Sequence, residues 1–443
     1  MVAENNIIVA FELGSSAIRG VAGKKDADGS VHILAIEQER ISGSIRRGAV
    51  YNINKTTNAI VRIKDRLNEQ LGVNITRAYV GIAGQSLHTV SNKVIRSYEM
   101  KEKITQEVVD SLMDENRAID YPDRQILEVA PQEFRLGSTD ATTEPVGVQT
   151  TRIEGRYLNI IARKSLQDDI RSCMRDAGLD IVELLITPLE LAKAVLTDAE
   201  KRAGCALVDI GAEVTTVSIF TKNFLRQLVT IPLGGANVTS DLANQNKMEF
   251  EEAEEIKLKF GVAQAPLVKA DASRQIHISN NRNISEDELQ RITSARYDEI
   301  IANIWNQISK GKWQNDLISG VTLTGGGSAM KDLPEAFAQL TNFDAGKIKV
   351  AKQLLTGVQS ASSVDSATPG FNAIIALLMS ATEGCTSELP VQDEVAEEAT
   401  IEAEAEPVAE PVIPDPEPKP KKPGFMSKLA NWAKKMVEDD DER

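Results

Sequence analysis

A short apolar strand, a turn of small residues, two more strands and then a helical stretch occur in this order twice along the chain. The first copy predicts three strands and a helix at residues 7–11, 17–23, 31–41 and 56–71. The second copy predicts three strands and two helices at residues 206–210, 214–220, 225–231, 240–246 and 251–260. A repeated unit of this kind predicts an internally duplicated α/β fold, with a ligand between the two halves.

The chain has 443 residues, enough for several domains, and the pattern divides it. Residues 83–161 have a pattern of strands and one helix of their own, which predicts a small inserted α+β subdomain. The other predicted parts are the first half (1–82 and 162–190), the second half (191–234 and 312–385) and a smaller subdomain of the second half (235–311).

The composition changes after Cys385. Residues 386–423 contain 11 acidic residues and 8 of the 16 prolines of the chain, which predicts a disordered linker. Residues 424–437 then combine an apolar face with lysine flanks at helical spacing, which is typical of a helix that lies on a membrane surface. The predicted membrane-binding residues are Phe425, Met426, Lys428, Leu429, Trp432, Lys434, Lys435, Met436 and Val437. Docking of this helix on the core of the chain or on another protein is the alternative.

Charge and apolar patterning narrow the class of protein. The net charge of −15 argues against a protein that binds nucleic-acid phosphates. The first residues lack the pattern of a signal peptide, and no apolar run reaches the roughly 18 residues of a membrane-spanning helix. We therefore expect a cytoplasmic protein with peripheral membrane contact. The scattered cysteines and histidines offer no metal-binding cluster.

Three turns of small residues follow predicted buried strands, where backbone N–H groups can approach phosphate oxygens. The residues expected to bind nucleotide there are Gly14, Ser15, Ser16, Arg19, Gly211, Ala212, Gly325, Gly326 and Gly327. Glu12 and Asp209, just before the first two turns, are expected to hold magnesium through water. One such turn is more often only a turn, whereas three in a duplicated chain favour a phosphate clamp.

The order of these turns resembles the actin-like ATPase superfamily, and several segments resemble the FtsA family of bacterial cell-division proteins. The segments that carry the resemblance are 42–50, 80–84, 129–134, 145–147, 231–241 and 253–257. The resemblance implies a duplicated actin-like (ribonuclease-H-like) fold with an inserted subdomain. It also implies bound ATP and magnesium, with Glu254 and Lys257 beside the nucleoside.

The same resemblance implies partners and a location. Members of the family are expected to self-associate into filaments, to bind the C-terminal peptide of the tubulin-like protein FtsZ and to recruit later division proteins. Their place is the cytoplasmic side of the inner (plasma) membrane at the division site, where the terminal helix contacts lipid. The FtsZ peptide is expected on residues 235–311.

The first two turns depart from the pattern of the family. In the first turn Glu12 and Ala17 stand where the family usually has Asp and Lys, so Arg19 has to supply any cation. In the second turn Ala212 and Glu213 replace two glycines. A carboxylate is thereby placed near the expected phosphates, which lowers nucleotide affinity unless Glu213 points to solvent or joins the magnesium shell.

The region that activates water in related hydrolases departs as well. Thr187 stands where such enzymes often have an acid, which leaves Glu190 as the candidate catalytic residue. We expect a nucleotide-dependent structural switch with slow or absent ATP hydrolysis. The alternatives are an actin-like scaffold of pilus or secretion assembly and a sugar or acetate kinase of the same superfamily. A chaperone ATPase would need a folded domain after Cys385, which the linker composition excludes.

Overall fold

The computed structural model describes residues 7–138, 141–265, 274–279, 282–352, 354–360 and 368–387. The helices are α1 (Ile53–Leu71), α2 (Gln106–Arg117), α3 (Lys164–Asp176), α4 (Thr187–Val195), α5 (Asp198–Ala203), α6 (Gly235–Asn246), α7 (Phe250–Phe260), α8 (Glu286–Lys310), α9 (Leu333–Thr341) and α10 (Asn372–Ser380). The strands are β1 (Ile8–Leu13), β2 (Ala17–Lys25), β3 (Val31–Arg40), β4 (Ile45–Arg46), β5 (Ala49–Val50), β6 (Asn74–Ile75), β7 (Arg77–Ile82), β8 (His88–Lys103), β9 (Arg124–Leu136), β10 (Ala141–Thr142), β11 (Gln149–Arg163), β12 (Asp180–Ile186), β13 (Cys205–Ile210), β14 (Thr215–Thr221), β15 (Phe224–Ile231), β16 (Gln275–Ile278), β17 (Arg282–Ser285), β18 (Gly320–Thr324), β19 (Ile348–Val350), β20 (Val358–Ser360) and β21 (Thr386–Ser387).

β1 lies inside a sheet with the strand order β12-β7-β1-β2-β3-β20. It pairs antiparallel with β2 and parallel with β7. α1 covers one face of this sheet with a buried stripe at helical spacing, formed by Ala59, Ile60, Ile63 and Leu67. Asn52 begins the helix, because its side chain accepts a hydrogen bond from Lys55 N at 3.0 Å.

The second half repeats this arrangement around β13. Its strands follow the order β15-β14-β13-β18-β19, with β13 antiparallel to β14 and parallel to β18. Strand order and direction around β13 therefore match those around β1. The duplicated α/β fold predicted from the sequence is confirmed.

Alternate residues of β13 face two different cores. Cys205 and Leu207 pack in the core that contains the first half, whereas Ala206, Val208 and Ile210 pack in a second core with α8. Both faces are covered, which is why the strand is a continuous apolar run in the sequence. Asp209 is the next residue on the face of Cys205 and Leu207, so its carboxylate is directed toward the first half.

The inserted segment folds around the antiparallel strands β8, β9 and β11, with α2 packed on them. Its core is formed by Val94, Ile104, Leu112, Phe134, Leu136, Ile153 and Tyr157. β8 also pairs with β15 through His88 and Val229. The sheet of the inserted segment thus continues into the sheet of the second half.

The last described residues return to the first half. β20 extends the first sheet beside β3, and the apolar residues of α10 belong to the core of the first half. Cys385 N donates a hydrogen bond to Ile7 O at 2.8 Å. The sequence division assigned residues 312–385 to the second half, and the structure differs from it beyond about residue 351, where Ala351 already packs in the first core.

Residues 235–311 contain a small core of their own, in which α6, α7, α8 and the hairpin of β16 and β17 meet. Its buried residues are Leu242, Met248, Ala253, Ile256, Ile276, Ile278, Ile284 and Leu289. None of the helices in the described part of the chain is long and apolar enough to cross a membrane.

Candidate functional site

The three glycine-bearing turns lie at the ends of strands that the fold brings to one cleft. Residues 14–16 follow β1, residues 211–214 follow β13 and residues 325–327 follow β18. Asp209 on β13 is in register with Thr324 on β18, so the second and third turns are neighbours. The first and second turns are connected by contacts of the hairpin formed by β4 and β5.

Glu12 and Asp209 occupy equivalent positions in the duplicated unit, each one residue before the end of its strand. Burial, reinforced by the negative charge of Glu12 and partly offset by Arg19, raises the pKa of Asp209 to about 7. The two carboxyl groups are therefore close enough to interact. A cation between them would relieve this unfavourable pairing, and carboxylates with water are the donors that magnesium prefers. The pair fits the predicted magnesium position.

Arg19 is directed at Glu12 across β1 and β2. Its Nη1 lies 3.0 Å from Glu12 Oε2, and both side chains are 19% exposed. The guanidinium also stacks 5.3 Å from the centre of the Phe371 ring. The sequence predicts that Arg19 supplies a cation for phosphate. In the structure Arg19 pairs with Glu12, because the two residues are direct cross-strand neighbours.

The first turn is closed by a backbone hydrogen bond, and its tip is exposed to solvent. Gly14 N donates to Ala17 O at 3.1 Å, which closes the turn, and Ser16 is exposed. Ser15 Oγ accepts a hydrogen bond from Gly48 N at 3.0 Å. Gly14 and Ser16 are thus accessible to a ligand, while the hydroxyl of Ser15 already has a protein partner.

The second turn is supported by the start of α6. Gly235 N donates to Gly211 O at 2.9 Å, and Ala236 N donates to Ala212 O at 2.7 Å. A methyl group on Gly234 would come within 2.6 Å of Ala212 O. The close approach of α6 to this turn therefore requires glycine at that position.

The third turn needs glycine for two different reasons. Gly325 has a left-handed backbone (φ 82°), and a methyl group there would overlap the Asp209 carboxylate. A methyl group on Gly327 would overlap the side chain of Ile210, and Tyr297 Oη donates to Gly327 O at 2.8 Å. Gly326 has no neighbour within 4 Å of the position of a methyl group and faces open space.

Lys257 and Glu254 lie at the base of the second and third turns, where the Lys257 ammonium group is buried in a hydrogen-bond network. Lys257 Nζ donates to Glu254 Oε2 at 2.7 Å, to Thr239 Oγ1 at 3.0 Å and to Gly235 O at 3.2 Å. Its side chain is 6% exposed, and burial lowers the pKa of Lys257 against the opposing effect of Glu254. The ammonium group thus supports the start of α6 from below.

Glu213 is half-buried and is hydrogen-bonded to the hairpin of β4 and β5. Its carboxylate accepts a hydrogen bond from Arg47 N at 2.5 Å, in the turn between β4 and β5. The segment 42–50 carries only a resemblance in the sequence, which predicts no role in the site for Arg47 or Gly48. The Arg-Gly pair between two short strands is the signal that a two-residue turn leaves in a sequence.

Glu190, the candidate catalytic residue, lies in the first turn of α4 and is hydrogen-bonded to other side chains. Its oxygens accept hydrogen bonds from Lys193 Nζ at 2.8 and 2.9 Å and from Ser380 Oγ at 2.5 Å. With Glu183 it lines a cavity of about 390 Å³ between α4 and α10. Glu190 joins α4 to α10 because the return of the chain places Ser380 beside it, and its catalytic role stays a prediction.

The predicted membrane-binding residues and nearly all of the predicted linker lie outside the described residues. Thr386 and Ser387 are described, and they form β21, which pairs with β6. The prediction for residues 424–437 therefore stays a prediction.

Three family models match parts of this chain. A model described as cell division protein FtsA matches residues 206–373, and one described as the SHS2 domain inserted in FtsA matches residues 84–161. A third, described as type IV pilus assembly protein PilM, matches residues 140–265. The second match lies within one residue of the predicted inserted subdomain at its start and ends at the same residue.

Two relatives carry the same family name over most of the chain. The cell division protein FtsA of Porphyromonas gingivalis is 32% identical over 389 residues, which cover 86% of this chain and 80% of that protein. FtsA of Pseudomonas aeruginosa is 28% identical over 338 residues, covering 75% and 81%. The solved PilM–PilN type IV pilus biogenesis complex matches 84% of this chain and 97% of its own chain, with a TM-score of 0.58 and 17% identity. That likeness supports the predicted actin-like fold.

Proposed function

The chain belongs to the FtsA family of cell division proteins, and from this we propose that it is an actin-like, ATP-binding protein that tethers FtsZ to the membrane. We place it on the cytoplasmic face of the inner membrane at the division site, where it self-assembles into filaments. Residues 424–437 supply the lipid contact, and the linker before them gives the tether its reach.

The proposal of ATP binding rests on three glycine-bearing turns that lie beside the interacting carboxyl groups of Glu12 and Asp209. Gly14 and Ser16 of the first turn, Gly211 and Ala212 of the second and residues 325–327 of the third would hold the nucleotide. Glu12 and Asp209 would hold magnesium through water, and the metal would supply charge neutralisation for the phosphates. Lys257 and Glu254 act by holding the start of α6 against the second turn.

Slow or absent hydrolysis is part of the same proposal. Glu190, the residue left by the sequence for activating water, has its oxygens bonded to Lys193 and Ser380. A general base has to reach the proton of the attacking water with a free lone pair. Lys193 and Ser380 take up three of the about four acceptor positions of the Glu190 carboxylate, which makes it a weaker base and favours a switch over an efficient ATPase.

The partners follow from the family rather than from a contact. We propose that residues 235–311 bind the C-terminal peptide of FtsZ and that later division proteins associate with the assembled filament. An actin-like scaffold of pilus assembly is the second candidate, favoured by the match of residues 140–265 to the PilM family model.

Nucleotide titration of a variant of the third turn tests the central proposal. A methyl group on Gly326 meets no atom within 4 Å, so Gly326→Leu starts its side chain in open space, and we expect the protein to fold and to lose Mg·ATP affinity by at least about ten-fold. Gly357→Leu is the matched control, since Gly357 also has open space but lies beside β20. Unchanged ATP affinity in Gly326→Leu, or absence of ATP binding by the unmodified protein, would contradict the proposal.

A further inference from the structure

The turn between β4 and β5 is a fixed element of the cleft. Arg47 and Gly48 both have left-handed backbones, with φ of 50° and 75°, as a two-residue hairpin turn requires. A methyl group on Gly48 would come within 2.6 Å of Gly84 Cα, at the start of the inserted subdomain. The turn therefore packs between the cleft and the first residues of that subdomain.

Three hydrogen bonds join the turn to three parts of the molecule. Arg47 N donates to Glu213 in the second half, and Gly48 N donates to Ser15 in the first turn. Gln85 N, after β7, donates to Arg47 O at 3.0 Å. Glu213 is the only carboxylate among these three partners. It belongs to the second turn, which is one of the turns predicted to face phosphate.

The position of this contact follows from the order of the turns. Asp209, just before the second turn, is in register with Thr324 and is the neighbour of Gly325, so a nucleotide with its nucleoside at the third turn would direct its phosphates toward the first two turns. The terminal phosphate would then lie near the element that contacts both the first and the second turn. That element is the turn of Arg47 and Gly48.

We propose that Glu213 is a specificity-determining residue that makes the cleft discriminate against a nucleoside triphosphate in favour of a diphosphate. Its carboxylate accepts a hydrogen bond from the Arg47 N–H, which would otherwise donate to an oxygen of the terminal phosphate. The negative charge of Glu213 also repels that phosphate. A triphosphate has to displace Glu213 and so loosen the turn, whereas a diphosphate leaves the contact intact. This inference rests on the proposed nucleotide site.

The first test compares ATP and ADP affinities of the full chain by calorimetric titration with magnesium. Glu213→Gln removes the charge and keeps an acceptor, and Glu213→Ala removes both. We expect the ratio of ATP to ADP affinity to rise about ten-fold in both variants. Glu69→Gln, on the exposed side of α1, is the charge-matched control and should leave the ratio unchanged.

The outcomes separate the two proposals. Normal nucleotide binding with an unchanged ratio in both Glu213 variants would overturn the inference alone. An unmodified protein that binds neither nucleotide would overturn the proposed function and the inference with it.

Hydrogen exchange of residues 44–50 in nucleotide-free protein tests the contact itself. The Arg47 amide should exchange about ten-fold faster in Glu213→Ala, because it loses its acceptor, and near the original rate in Glu213→Gln. Both variants should keep the circular dichroism of the unmodified protein, since Glu213 is only half-buried. An unchanged rate in Glu213→Ala would show that Glu213 does not hold the turn and would overturn the inference.

Discussion

At the scale of single residues, the ammonium group of Lys257 joins α6 and α7 beneath the cleft. It donates to three oxygens, and two of them, from Thr239 and Gly235, belong to α6. The Thr239 hydroxyl also donates to Glu254, so the carboxylate is shared by two donors. A buried charge that is fully hydrogen-bonded holds its surroundings in one arrangement, and its loss leaves the partners without donors.

Replacing Lys257 by Met tests this role. The side chain keeps its approximate length but loses the charge, so Glu254 and Gly235 lose a donor. We expect the free energy of unfolding to fall by about 2–3 kcal/mol, measured by urea denaturation. Lys259→Met, at an exposed position of the same helix, is the control and should cost less than about 0.5 kcal/mol. Equal losses in the two variants would argue against the network.

The three cysteines, Cys173, Cys205 and Cys385, are free and buried. Burial raises the pKa of all three thiols, that of Cys205 to about 12. The thiolate is the reactive form of cysteine. These three cysteines are therefore protected from reaction because they stay protonated and because they are buried.

We expect less than about one equivalent of thiol to react with Ellman's reagent at pH 8 in the folded protein. All three should react in guanidinium chloride, where burial is lost and the pKa returns to about 8.5. Rapid reaction of the folded protein would show that one of these sites is open to solvent.

At the scale of elements, α1 crosses β2 at a position that has no room for a side chain. A methyl group on Gly20 would lie 2.5 Å from Ile63 Cγ2 and 3.2 Å from Leu67 Cδ1. Ile63 and Leu67 are fully buried. Helix and strand therefore approach each other closely at Gly20, which sets the distance of α1 from the sheet that carries the first turn.

Gly20→Ala should overfill this contact. Relief requires a shift of α1 or of the Ile63 rotamer, so we expect a loss of about 1–3 kcal/mol in the free energy of unfolding. Thermal and urea denaturation measure it, with Gly357→Ala as the control at a glycine that has open space. Stability equal to that of the unmodified protein would mean that α1 can move away without cost.

At the scale of the whole molecule, the two halves are joined by more than one crossing of the chain. The return of α10 to the first half, the pairing of β8 with β15 and the contact of Glu213 with Arg47 all bridge parts that are distant in sequence. Arg226 adds to the second of these joints, because its Nη1 donates to Gln132 Oε1 of the inserted subdomain at 2.9 Å.

Co-sedimentation with anionic liposomes tests the membrane proposal. The full chain should pellet with vesicles, more strongly with Mg·ATP, and a chain that ends at Ser387 should not; ending there keeps β21 paired with β6. Trp432→Glu should abolish pelleting of the full chain, and Lys428→Arg, which keeps the charge, should leave it unchanged. Tail-independent pelleting, or none at all, would favour the scaffold of pilus assembly.

The sequence by itself determined the duplicated strand order and the positions of the three turns. These are local features: a strand buried on both faces must be an apolar run, and a turn that passes close to backbone or to a carboxylate must contain glycine. Gly325, whose neighbour is Asp209, is such a position, and it could be recognised without coordinates.

Only the tertiary structure decided which charged groups meet. Arg19 pairs with Glu12, Glu213 with the Arg47 backbone and Glu190 with Lys193 and Ser380, and of these the contacts to Arg47 and Ser380 join residues more than a hundred positions apart. Lys257 and Glu254 lie three positions apart on α7, but it is the packing of α6 that buries the Lys257 side chain and leaves that of Glu254 33% exposed. Burial and long-range electrostatics depend on which elements pack together, and no local pattern of residues records that.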